Sequence, residues 1–156
     1  WVDEYQSLNA SFQAAPTRWI NGSNSRFENP MGPFYLKLVA EQGELVNNMD
    51  WMNQEPLREL VINYAEGNAD LESILSNYRM QTIERIEIQA RWGRRSTEYH
   101  HLQDGLRKLD APNLKSVNIR GRMNDRNNLT RAGFIVNRNL PKGCILNIDG
   151  RAVATK

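Results

Sequence analysis

Cysteine is nearly missing from this chain: Cys144 is alone among 156 residues. No internal disulfide can form, and no cysteine-rich zinc site can be assembled. Histidine is almost as scarce. The two present, His100 and His101, are adjacent, so on a helix they point to different sides and cannot make an i, i+4 metal pair. No run of about 18 apolar residues occurs, so no transmembrane helix is expected. Trp1 is not followed by a basic-then-apolar segment, so no secretory leader is expected within the chain, although one removed ahead of Trp1 would leave the same sequence. There is also no G-x-x-x-x-G-K-[ST] phosphate loop, no G-x-G-x-x-G turn and no G-x-S-x-G elbow. Acidic residues are plentiful, yet none is paired in a setting for general acid–base work, and an ordinary solvated face explains them. These absences set the expectation of a protein that is not an enzyme and holds neither metal nor cofactor.

What is present is a soluble-type composition, 40% hydrophobic and 24% charged, long enough for one domain with a real core. The net charge is only +2, but it is unevenly laid out. Residues 1–76 carry 4 basic and 11 acidic side chains, and residues 77–156 carry 16 basic and 7 acidic. Such asymmetry signals either a polyanion or interaction surface, or simply two unlike ends of an elongated stack. Cys144 falls in an apolar phrase, where a small buried hydrophobe is the default. A single thiol favours a reducing compartment, hence an intracellular location in cytoplasm, nucleus or mitochondrion. Three Asn-x-Ser/Thr triplets, at Asn9, Asn21 and Asn128, carry little weight in a chain so rich in Asn.

The most informative feature is a recurring phrase. Leu57-Arg58-Glu59-Leu60-Val61-Ile62-Asn63 returns as Ile83-Glu84-Arg85-Ile86-Glu87-Ile88-Gln89 and as Leu114-Lys115-Ser116-Val117-Asn118-Ile119-Arg120. A weaker copy runs from Gly143 to Asp149, and Phe34 to Val39 fits as a first copy. Counted on the fourth residue, the positions are 36, 60, 86, 117 and 146, with steps of 24, 26, 31 and 29. Repeats of this length mark stacked units, each unable to bury its apolar face alone.

Helical phrases alternate with these strands. Glu44 to Met52 predicts a helix burying Leu45, Met49 and Met52, stopped by Pro56. Asn68 to Leu75 starts on an Asn cap and buries Leu71, Ile74 and Leu75. Ser96 to Leu109 presents Leu102, Leu106 and Leu109. Asn124 to Leu140 offers Leu129, Phe134 and Leu140 less clearly. Ahead of the repeats, Trp1, Tyr5, Leu8 and Phe12 lie at helical spacing. The Pro-, Gly- and Asn-rich stretch from 16 to 33 reads as irregular. The expected domains are a cap over 1–33, comprising a helix and irregular chain, and a repeat region over 34–156.

Leu57-x-x-Leu60-x-Ile62, Ile83-x-x-Ile86-x-Ile88 and Leu114-x-x-Val117-x-Ile119 carry an L-x-x-L-x-L phrase, and Ala111-Pro112-Asn113 leads into the third. Over residues 34–150 this resembles leucine-rich repeats of the longer strand-plus-helix kind, as in ribonuclease-inhibitor-like and F-box-associated repeat proteins. The chain departs from them in lacking Asn or Cys just after most strands, in its uneven steps and in having no cysteine-rich cap. The resemblance implies an α/β solenoid of about 4–5 strand–helix units, with a parallel sheet on the concave side and helices on the convex side. It also implies a non-catalytic protein-binding role, as adaptor, assembly factor or complex subunit. An ordinary α/β sandwich whose strand phrases coincide by chance remains the other reading.

Strand alternation sharpens the expectation. If residues four and six of each phrase are core, residues three, five and seven face the other side. That set is Tyr35, Lys37 and Val39; Glu59, Val61 and Asn63; Arg85, Glu87 and Gln89; Ser116, Asn118 and Arg120; and Ile145, Asn147 and Asp149. Its polar members are the candidate partner-binding residues, since a face that only needed burial would be uniformly apolar. Just beyond two strands come Arg91, Trp92, Arg94 and Arg95, then Arg122, with Arg126, Arg131 and Arg138 following. Arginines interleaved with Trp suit a protein interface, where both residue types are hot spots. They also suit phosphates and a stacked base, so a nucleic-acid-binding domain is the alternative function.

Overall fold

The computed structural model describes residues 17–32, 34–53, 56–65, 69–76, 80–90, 98–120 and 140–152. Eight strands form one sheet in sequence order: β1 (Thr17–Trp19), β2 (Arg26–Glu28), β3 (Leu36–Glu41), β4 (Leu57–Ala65), β5 (Arg85–Ala90), β6 (Ser116–Arg120), β7 (Ile145–Ile148) and β8 (Arg151–Ala152). Among the described residues three helices accompany it: α1 (Gln42–Asn47), α2 (Ala69–Ser76) and α3 (Glu98–Arg107), with a 3₁₀ turn at Met49–Asn53. The fold is mixed α/β, in keeping with the alternation of strand and helical phrases. No helix among the described residues is long and apolar enough to cross a membrane.

The sheet was expected to be parallel and is instead mixed. Strands β3 to β7 run parallel, while β1–β2, β2–β3 and β7–β8 pair antiparallel. The difference follows from connection length. Parallel neighbours need a crossover of a dozen or more residues, whereas a short loop reverses the chain and gives an antiparallel pair. Between β7 and β8 only Asp149 and Gly150 intervene, with φ of 49° and 80°. Two successive positive φ values make the tight hairpin turn that Asp-Gly favours.

The repeated phrases lie side by side. Leu38, Leu60, Ile86, Val117 and Leu146 align across five strands, and Ala40, Ile62, Ile88, Ile119 and Ile148 form the next row. All but the half-buried Ile148 are buried, and they share one cluster with Leu45 of α1, Leu71, Ile74 and Leu75 of α2, and Leu102 and Leu106 of α3. The helices therefore cover one face of the sheet, and each stacks on the next in sequence order. A charged clamp joins the last two: Glu72 of α2 accepts from Lys108 Nζ at 2.9 Å and lies 3.3 Å from His101 Nδ1. The Lys108 hydrogen bond, then that of His101, holds the Glu72 carboxyl below its usual range.

One register differs from the sequence expectation. Leu38, not Leu36, stands opposite Leu60, and the pairing has an irregularity between Leu36 and Lys37. The first step is thus 22 residues, from Leu38 to Leu60, rather than 24. A slip of two preserves which face each side chain takes, because strand periodicity is two.

Two local expectations are corrected. Residues 17–28, taken as irregular, form the β1–β2 hairpin, which joins the sheet through β2 and β3. Its turn is closed by Ser23 Oγ donating to the Ile20 carbonyl at 2.9 Å, and Gly22 takes φ of 70°. Buried Ser25 then ties the hairpin to α1: its Oγ donates to Glu44 Oε1 at 3.2 Å and accepts from the Glu41 N–H at 3.2 Å. The helix expected over 44–52 is broken at Asn48. Asn47 and Asn48 side chains donate to the carbonyls of Gly43 and Glu44, at 3.0 and 2.7 Å, competing with continued helix. Leu45 and Met52 are nonetheless buried and Met49 packs against the core. The N-terminal helical spacing and most of the Asn124–Leu140 phrase lie outside the described residues; Leu140 itself packs on the core.

Candidate interaction surface

The sheet face opposite the helices carries a set of side chains in transverse rows. The first row reads Thr17, Glu28, Lys37, Glu59, Arg85, Ser116, Ile145 from β1 to β7. Its charges alternate: Lys37 Nζ lies 3.8 Å from Glu28 and 3.9 Å from Glu59, and Arg85 stands opposite Glu59 on the next strand. Opposite charges facing one another across strands stabilise each pairing by a few tenths of a kcal/mol, about 0.2–1. Past Arg85 the alternation stops, with Ser116 and Ile145 following.

The second row is Trp19, Arg26, Val39, Val61, Glu87, Asn118, Asn147, Ala152. Arg26 holds Glu28 at 2.7 Å and lies 5.2 Å above the ring of Trp19, which stays 61% exposed. Asn147 Nδ2 donates to Asn118 Oδ1 at 2.8 Å. The third row is Glu41, Asn63, Gln89, Arg120. Arg120 Nε reaches diagonally to Glu87 Oε1 at 2.7 Å, yet its side chain remains 68% exposed. Asn63 Oδ1 is buried without a hydrogen-bond partner. Burial, then the charge of Glu44, holds the Glu41 carboxyl above its usual range.

The structure therefore brings Lys37, Glu59, Asn63, Arg85, Glu87, Gln89, Ser116, Asn118 and Arg120 onto one face, as strand alternation predicts. Two others on that face depart from expectation. Val39 and Val61, placed on the solvent side, are only 3% and 2% exposed. Tyr35 belongs to the rim below the first row, where its hydroxyl donates to Glu59 at 3.1 Å. Burial, then the Glu59 charge and that hydrogen bond, push its phenol up to about 12. Arg91, Trp92, Arg94, Arg95 and Arg122, with Arg126, Arg131 and Arg138, lie outside the described residues. Cys144 is buried as expected, and burial pushes its thiol up to about 11.

Sequence reasoning missed Trp19, Arg26, Glu28 and Glu41 on this face. The polar-apolar-polar alternation of Arg26-Phe27-Glu28, with Phe27 buried, was the available signal. Glu41 was hidden by the two-residue register slip at β3. The central pair of the hairpin repeats this arrangement on the helix-side face, where Arg18 lies 5.0 Å over Phe27. No family model, characterised protein or solved structure matches this chain.

Proposed function

We propose that the chain is a non-catalytic protein-interaction module built as a leucine-rich-repeat-like solenoid, its parallel β3–β7 core presenting the face opposite the described helices to a protein partner. The observation that carries this reading is the in-register array of polar side chains on that face, filling the first and third rows across β3 to β6 and the second row on β5 and β6. Rigid strands hold such groups at a fixed spacing of about 4.8 Å between neighbours, which suits recognition of another surface. The ionisable groups of the array spend themselves on one another: Lys37 with Glu28 and Glu59, Arg120 with Glu87. An array already neutralised in this way gives specificity through matched polar contacts rather than a reactive centre.

The test is affinity capture with wild type and with the double variant Arg85→Ala/Glu87→Ala, followed by mass spectrometry of what is bound. The reading expects a protein retained by wild type at both low and moderate salt and lost from the double variant. Binding that falls steeply with salt, survives the double substitution and collapses with Arg91→Ala/Arg94→Ala/Arg95→Ala would instead assign a nucleic-acid-binding role.

A further inference from the structure

We infer that the β5–β7 part of the open face is the seat for an extended acidic segment of the partner, with a partner carboxylate on Arg85 and Ser116 and an aliphatic side chain on Ile145. This rests on the reading above of the face as a protein-binding surface and names the chemistry of what it takes.

The charge pattern is the starting point. In the first row Lys37 and Glu59 each have an opposite charge on both flanking strands. Arg85 has one on the β4 side only, because β6 offers Ser116 in register. The residue is exposed. A carboxylate entering there completes the alternation that the sheet itself breaks off. It accepts the paired N–H groups of a guanidinium, a geometry that Arg offers and Lys does not. The Ser116 hydroxyl stands ready as a further donor.

The rest of the seat has the same bias. Across β5 to β7 the strands carry Arg85 and Arg120 against Glu87, with Asp149 one residue beyond β7, while the β2–β4 part carries Glu28, Glu59 and Glu41 against Arg26 and Lys37. The β5–β7 end thus lacks the acidic excess of the β2–β4 part, and an acidic segment meets less repulsion there. Glu87 fixes Arg120 through Nε without covering it, which orders the guanidinium for a second acidic group. The linked amides of Asn118 and Asn147 use one N–H and one acceptor on each other. Between them they hold further N–H and carbonyl capacity, the complement of a peptide main chain.

Ile145 supplies the apolar end. It is 51% exposed in the same row, two strands from Arg85. Two strand spacings amount to about 10 Å, and an extended chain covers that in roughly three residues. The segment that fits therefore has an Asp or Glu followed or preceded, about three residues away, by an aliphatic residue.

The experiment is selection of displayed random 12-residue peptides on the full chain, repeated on Arg85→Glu/Arg120→Glu. Both positions are exposed, and circular dichroism with urea unfolding verifies that the variant folds. Expected are wild-type peptides enriched in Asp and Glu with an aliphatic residue about three positions away. Their binding should fall by at least about tenfold in the variant, and selection on the variant should turn to Lys and Arg. Ile145→Asp should remove the aliphatic preference and leave the acidic one. Peptides without acidic enrichment whose binding is blocked by Asn118→Trp overturn the inference and leave the protein-binding reading standing. No peptide selected, or binding untouched by Asn118→Trp, overturns both. Tighter binding of a 12-nucleotide oligouridine at the same face, competing the peptides away, also overturns the inference.

Discussion

Asn118 and Asn147 stand opposite each other on β6 and β7, and the Asn147 amide donates to Asn118 Oδ1 across 2.8 Å. The pair is half-buried, so its net worth is that of an ordinary hydrogen bond with partial water competition. Asn147→Ala should cost about 0.5–1 kcal/mol. Asn147→Asp should cost more, because it sets an anionic acceptor against an acceptor and lies near Glu87, one strand beyond Asn118. Urea midpoints at unchanged m-value measure both. An Asp variant as stable as wild type would mean the amides do not face each other.

Ile86 and Gln89 share β5 and lie three residues apart, which puts them on opposite faces. Ile86 is buried among Leu60, Val117 and the helices, whereas Gln89 is exposed. Ile86→Ala should cost about 2–5 kcal/mol through lost burial and the cavity left behind. Gln89→Ala should stay within about 0.5 kcal/mol. Chemical unfolding of the two variants side by side decides whether the helix-covered face has been assigned correctly.

Gly105 lies in the last turn of α3, where Ala would ordinarily gain up to about 1 kcal/mol of helix propensity. Here an added Cβ meets Leu75 Cβ and Cδ1, both at 3.1 Å, and Glu72 Cα at 3.2 Å. Leu75 is fully buried, and a Cβ and a backbone Cα cannot swing away as a side-chain tip can. Overpacking costs about 1–3 kcal/mol, so Gly105→Ala should be net destabilising and Gly105→Val more so. Thermal unfolding checks the sign, and a stabilised Ala variant would show that α2 and α3 can separate by a few tenths of an ångström.

The strands β4, β5 and β6 were legible because aliphatics at positions four and six, two apart, leave a single face for the core. Their order in the sheet also followed, since each phrase needs its neighbour to complete the apolar layer. At β3 the same periodicity was ambiguous. Leu36 and Leu38 are both buried and have the same parity, so the pattern admits two registers, and the sequence does not choose between them. The β1–β2 hairpin was not legible because three-residue strands show too little alternation to outweigh the surrounding Asn, Ser and Gly. Its placement depends on tertiary bonds, chiefly those of Ser25 and Asn24 to Glu44. The same limit applies at Asn48, where side-chain bonds to backbone carbonyls end a helix whose apolar pattern continues.

Alkaline pH should weaken this fold through Cys144 and Tyr35. Burial pushes the Cys144 thiol from 9.0 up to about 11. Burial first, then Glu59, pushes the Tyr35 phenol from 10.0 up to about 12. Both groups are neutral when protonated, so as pH climbs the unfolded chain releases these protons before the folded one does. The folded state then holds more protons, and stability falls with rising pH. Their contribution is fully present below about pH 9 and is lost as pH passes through about 11 for the thiol and about 12 for the phenol. The wild-type urea midpoint should therefore change little from neutral pH to about 8 and decline above about 9. Cys144→Ala is expected to be less stable at neutral pH but to decline less steeply between about 9 and 11. Tyr35→Phe should lose the Glu59 hydrogen bond, about 1 kcal/mol at this half-buried site, and flatten the curve at its upper end. Native Cys144 should also react slowly with a thiol reagent at pH 8 and speed up in denaturant, because the nucleophile is the thiolate and the fold suppresses it. Equal slopes in wild type and both variants would mean that neither group carries the alkaline loss.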